Sequence, residues 1–152
     1  MSTTDGGPFP LYHRDFFHSN VVVDERYTIL GVIDWDGACV LPWELAEFPL
    51  FPETVPRPTD APWNYDADGL PRDEDTRQRW SEREGYVGMV ARWEEQEAAD
   101  DRLSSALRDV NGQYLAAAMR LYLTGKLSLY DGVLDLLQDE GRGARTQESI
   151  DV

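Results

Sequence analysis

Two apolar runs stand close together near the start of the chain: the valines of "NVVVD" (Asn20–Asp24) and "ILGVID" (Ile29–Asp34). Both are rich in β-branched residues, which fit a pleated, half-buried surface, and the polar "ERYT" between them predicts a β-hairpin. Residues 1–10, broken by Gly6, Gly7, Pro8 and Pro10, read as loop. "PWELAEF" (Pro42–Phe48) predicts a short helix with Pro42 in its first turn, where a missing N–H costs nothing. Residues 49–72 contain six prolines and are expected to form a long irregular loop. Three helices should follow. The first is expected from about Asp73, its N-cap, to Ala98, with Tyr86, Met89, Val90 and Trp93 on one apolar face. Leu103, Leu107, Val110, Tyr114, Ala118 and Leu121 form an apolar stripe that predicts a second, which Gly125 should stop. Leu127–Leu137 predicts the third, and the polar tail after Gly141 is expected to fray. No internal repeat interrupts this order.

Composition narrows the possibilities. With 152 residues, 41% hydrophobic and five tryptophans, the chain can build one core, and global disorder is not expected. The formal net charge is −15, a surface that repels phosphate backbones and anionic membranes, so neither nucleic acid nor membrane is an expected partner. Cys39 is the single cysteine, which rules out an intrachain disulfide and suits a reducing compartment. "MSTTDGGPFP" has no basic segment followed by an apolar run, and no apolar stretch is long enough to span a bilayer. A cytoplasmic location is expected.

The hairpin also gathers chemistry. Both histidines of the chain, His13 and His18, lie beside Asp15, Asn20, Asp34 and Asp36. If Val22 faces Val32 and Val23 faces Gly31, the constant pairing sum puts Asn20 opposite Asp34, at the open end of the ribbon. An amide oxygen beside a carboxylate suits a hard cation such as Mg²⁺. Asp15, five residues before Asn20, lies in a loop able to curl over the same end. Each residue also has a plainer role, since Asn and Asp often only satisfy turn amides.

Taken together, His13-Arg14-Asp15 followed by Asn20 fits H-x-D-x-x-x-x-N, the catalytic-loop spacing of kinases. Asp34 stands where those enzymes carry the magnesium-binding Asp of their Asp-Phe-Gly motif. "GVIDWDGA" and "PWELAEF" resemble the aminoglycoside phosphotransferase and choline kinase group, and "DAPWNYD" and "AMRLYLTGKL" look like its fungal branch. The resemblance runs from about Pro8 to Leu137 and covers the C-terminal lobe only. It implies an α+β, mostly helical fold, the C-terminal lobe of the protein-kinase-like fold, with the hairpin carrying the metal-site residues. This lobe would occupy residues 1–140, followed by a flexible tail over 141–152. Asp15 would accept or orient the proton of a substrate hydroxyl. Asn20 and Asp34 would hold Mg²⁺ bridging ATP phosphates, Asp36 would add a further metal contact, and His13 would brace the loop. The implied substrate is a small hydroxylated, cationic compound. Arg14 stands where the family usually has glycine, and Phe16–His18 depart from its common filling, so His18 reads as a local substitution.

Kinase chemistry also needs a lysine on the α/β-phosphates, a glutamate pairing with it, and a covering loop. The single lysine, Lys126, comes after Asp34, and no arginine precedes Arg14. "GKLS" at Gly125 is no P-loop, because the earlier glycine falls on Arg120, and "GRG" at 141–143 follows no strand. ATP binding by this chain alone is therefore not expected, and a separate N-terminal lobe or self-association would complete it. Three classes remain: a truncated small-molecule kinase lobe, inactive alone; a non-catalytic kinase-derived module for a cationic ligand or protein partner; and a metal-dependent phosphatase using "DWD". Retention of Asp15, Asn20 and Asp34 favours the first over the second. The third wants paired aspartates followed by Thr or Val, where Gly37-Ala38 stand instead.

Overall fold

A computed structural model describes residues 7–123, 131–135 and 138. Four short strands and three helices form an α+β arrangement: β1 (Leu11–Tyr12), β2 (Val21–Val23), β3 (Ile29–Val32), β4 (Cys39–Val40), α1 (Glu74–Gln96), α2 (Arg102–Arg108) and α3 (Val110–Leu123). The strands make two separate antiparallel pairs, β1 with β4 and β2 with β3.

The β2–β3 hairpin forms where the apolar runs place it, but in a different register. Val21 pairs with Val32 and Val22 with Gly31, then the pairing shifts so that Val23 faces Ile29. The cause lies in the turn. The Asp24 carboxylate accepts hydrogen bonds from the backbone N–H groups of Arg26 and Thr28, each at 2.8 Å, and Tyr27 adopts a left-handed φ of 61°. These bonds, Thr28 ahead of Arg26, hold the Asp24 carboxyl below the usual carboxylate range. The pinned turn sets Val23 against Ile29, and Leu30 is the extra residue of a bulge. Asn20 therefore meets Ile33, whose N–H donates to the Asn20 carbonyl at 2.9 Å, and not Asp34.

"PWELAEF" contains a single 3₁₀ turn, Trp43–Leu45, with Pro42 preceding it as the cap. The 49–72 segment is irregular yet anchored: it has 3₁₀ turns at Arg57–Thr59 and Pro62–Asn64, a bridge between Tyr65 and Pro71, and buried Pro52, Pro56 and Tyr65. α1 starts as its sequence predicts, with the Asp73 side chain accepting from the Thr76 N–H at 2.9 Å. Its inner face differs from the expected one. Tyr86, Val87, Val90 and Glu94 turn inward, while Met89 and Trp93 are exposed. The expected second helix is two, broken at Asp109, whose extended backbone separates α2 from α3. Val110 consequently leaves the apolar stripe and is exposed. Of the third expected helix, residues 131–135 are helical, with Val133 buried; residues 124–130, like the tail after Gly141, lie outside the described residues.

The core centres on Phe48, Val87 and Leu107, with Tyr86, Val90 and Leu103 packed against it. Three ties connect this helical layer to the rest of the fold. Phe51 packs against both Phe16 and Tyr86, and the Leu50 N–H donates to the Phe16 carbonyl at 3.0 Å. The buried Gln113 amide of α3 donates to the Ala46 carbonyl at 2.7 Å and the Ala106 carbonyl at 3.1 Å. The Tyr12 hydroxyl donates to Glu47 at 3.2 Å, and Glu47 in turn pairs with Arg120 at 3.1 Å, which also holds Glu53. No helix among the described residues is long and apolar enough to cross a membrane.

Candidate functional site

The segment between β1 and β2 folds around His13, which is buried. Its Nε2 lies 2.9 Å from the Ile33 carbonyl, which can only accept, so that nitrogen carries the proton. Nδ1 is then an acceptor, and the Asp15 N–H donates to it at 3.3 Å. The ring is also held from the sides. Trp35 meets it edge-on at 4.6 Å between centroids, with Phe16 at 5.8 Å. Trp35 is fixed in turn by its indole N–H, which donates to the Val32 carbonyl at 2.9 Å. One imidazole thus joins the loop before β2 to the exit of β3.

Asn20 closes the same unit. It ends a 3₁₀ turn, His18–Asn20, and is buried. Its Nδ2 donates to the Asp15 carbonyl at 2.8 Å and to the Asp15 carboxylate at 3.1 Å. Both partners are acceptors, so the amide nitrogen must face Asp15 and the amide oxygen faces elsewhere. The Asp15 carboxylate is therefore oriented by Asn20 and still exposed to solvent.

Asp34 follows Ile33 in a left-handed conformation, φ 61°. This ends the strand and turns the chain before Trp35. Such a φ is rare for a non-glycine residue but tolerated by Asp. Asp34 and Asp36 are exposed, and no hydrogen bond or ion pair joins either to Asp15 or Asn20 among the described residues. The structure thus brings His13, Asp15 and Asn20 into direct contact at the exit of β3 and leaves Asp34 and Asp36 on the adjoining open surface. His18 is exposed and stacks on Phe17 at 4.0 Å.

The residue types suit a hard cation by chemistry, carboxylates plus one amide oxygen, with Asp15, Asp34 and Asp36 exposed and Asn20 buried beside them. They do not form a cage. No group of three or more His, Cys, Asp or Glu side chains converges to hold a metal among the described residues. Magnesium tolerates such sites, because it keeps several waters and binds through one or two carboxylates plus substrate phosphates.

Trp35 was not singled out from sequence as part of the site; its only signal was its place directly after Asp34.

The chain is thus an α+β protein in which a loop carrying His13, Asp15 and Asn20 closes onto the exit of a β-hairpin. The model of a family described as the phosphotransferase enzyme family (APH) matches residues 4–44. The matched segment holds His13, Asp15, Asn20, Asp34 and Asp36 and ends before the helices. This is consistent with the aminoglycoside phosphotransferase resemblance. No curated protein and no solved structure matches the chain.

Proposed function

We propose that the chain is the metal-and-base lobe of an aminoglycoside phosphotransferase-like small-molecule kinase, transferring the ATP γ-phosphoryl group to a substrate hydroxyl. The observation that carries this reading is the Asn20 amide held between the carbonyl and carboxylate of Asp15, inside the segment that the family model matches. A residue that only satisfied a turn would not need to aim a solvent-exposed carboxylate. Asp15 would take the proton as the hydroxyl oxygen forms its bond to phosphorus and the bond to the β-phosphate oxygen breaks. Asn20 keeps that carboxylate pointed at the hydroxyl. His13 keeps the loop and the β3 exit at fixed separation. Asn20 through its amide oxygen, with Asp34 and in support Asp36, would hold Mg²⁺, which supplies neutralisation of phosphate charge. That supply matters in a chain of net charge −15.

Lys126 lies after all of these residues, and the chain contains no other lysine. We therefore assign nucleotide anchoring to a lobe outside these 152 residues and expect negligible ATP turnover by the chain alone. Calorimetric titration should show weak Mg²⁺ binding, with a Kd of about millimolar order as suits a site of few protein ligands. Asp34→Ala should abolish it. Equal affinity in the variant would remove the site, and robust phosphorylation of an aminoglycoside or choline-like compound by this chain alone would overturn the division of labour.

A further inference from the structure

A cleft of about 610 Å³ lies against α1 and the start of α3, beside residues 54–57, and none of Asp15, Asn20 or Asp34 lines it. Its size falls in the range of small-molecule sites, roughly 300–1,000 Å³. Core residues Phe48, Val87 and Leu107 contribute apolar wall, and Trp80 and Tyr114 add aromatic surface. The charged lining is unlike the rest of the molecule. In a chain with 29 acidic and 14 basic side chains, three arginines, Arg57, Arg83 and Arg108, face one carboxylate, Glu84.

None of the three arginines forms an ion pair among the described residues, where such pairs involve Arg77, Arg102 and Arg120. Each guanidinium has five N–H donors, and few are used here. Arg83 donates to the Thr54 hydroxyl at 2.9 Å and lies 4.1 Å over the Phe48 ring. Arg57 rests on the Tyr65 ring, and Arg108 reaches the Ser104 hydroxyl only at 3.4 Å. Glu47 and Glu53 are near enough to act on Arg83 electrostatically, but both are held by Arg120. Burial acts against the Arg83 charge, lowering its pKa. A half-buried guanidinium with no ion pair among the described residues, its one hydrogen bond going to a neutral hydroxyl, is costly unless something anionic joins it.

We propose that this cleft binds a small organic anion, a carboxylate or phosphate monoester with an apolar or aromatic body, through Arg57, Arg83 and Arg108. The site is separate from the phosphotransfer residues and does not depend on that reading. Arginine suits the role because its planar fork matches both carboxylate and phosphate oxygens.

Calorimetric titration of the full chain in EDTA with phenyl phosphate, phenylacetate and uncharged benzyl alcohol tests this, since chelation removes any metal-mediated binding at Asp34. At least one anion should bind saturably and at least tenfold more tightly than benzyl alcohol, and the tighter of the two distinguishes phosphate from carboxylate. Arg83→Gln should weaken that anion at least tenfold. Because Arg83 also packs on Phe48, the double variant Arg57→Gln/Arg108→Gln, at exposed positions, provides a second measure and should weaken it as much. Absence of saturable binding, equal binding of benzyl alcohol, or affinity unchanged in the folded variants would overturn the proposal.

Discussion

His13 shows how a residue with chemical potential can act through position alone. Both ring nitrogens are engaged, one with Ile33 and one with Asp15, and the ring also meets Trp35 and Phe16. His13→Ala would leave the part-buried Ile33 carbonyl contact unmade and open a gap beneath Trp35. The expected loss is about 1–3 kcal/mol of stability in denaturant titration, with Mg²⁺ affinity falling as the loop loosens. An unchanged midpoint would show that Asn20 and Trp35 hold the loop without it. Tyr12 carries a second test at this scale. Burial, then the Glu47 carboxylate beside it, pushes its hydroxyl up to about 12. The folded state therefore holds this proton more tightly than the unfolded chain, whose tyrosine titrates near 10. The resulting stability is complete below about pH 10 and is lost as pH rises towards 12. Tyr65, raised to about 12 by burial and by Asp60, adds to the same slope. Tyr12→Phe should flatten the alkaline fall between those pH values, read from midpoints at a series of pH. An identical fall would assign the slope elsewhere.

At the level of elements, what was legible depended on how local the cause was. The hairpin, the irregular 49–72 segment and the start of α1 follow from β-branched runs, prolines and the Asp73 cap, all contained within a few residues. The register did not follow, because it is set by Asp24 pinning the turn and by the Leu30 bulge, which valine content does not encode. The break at Asp109 was also hidden: a stripe at helical spacing reads the same whether the backbone runs on or restarts. His13, Asp15 and Asn20 meet because their short spacing leaves few alternatives. The Asn20–Asp34 juxtaposition rested on a register that the structure shifts by one residue. Gln113 is the tie no local pattern could foretell, since its partner Ala46 lies 67 residues away in sequence. Gln113→Ala should cost about 1–3 kcal/mol in denaturant titration, because it strips two carbonyls of their donor in the core. Loss of less than a few tenths would mean that water replaces the amide.

For the molecule as a whole, the strand layer is the unusual part. Leu11 and Val40 face each other across the β1–β4 pair and are 64% and 61% exposed, and Ile29 and Leu30 of β3 are 66% exposed each. A chain of net charge −15 with apolar side chains standing on its strands should associate through them. Sedimentation coefficients should rise with concentration, and Leu11→Lys/Ile29→Lys should suppress the rise along with binding of a hydrophobic dye. A dye-silent monomer at all concentrations would contradict this.

The proposed function stands on Asn20 and Asp34, with Asp36 in support, holding one cation beside the Asp15 carboxylate at the β3 exit. Titration of the isotopically labelled chain with Mn²⁺, a paramagnetic ion that accepts the oxygen ligands of Mg²⁺, tests it most directly. Amide resonances of Asp15, Asn20 and Asp34 should broaden first, recover when Mg²⁺ competes, and stay sharp in Asp34→Ala. Broadening that begins instead along the acidic end of α1, or that persists unchanged in the variant, would contradict the account.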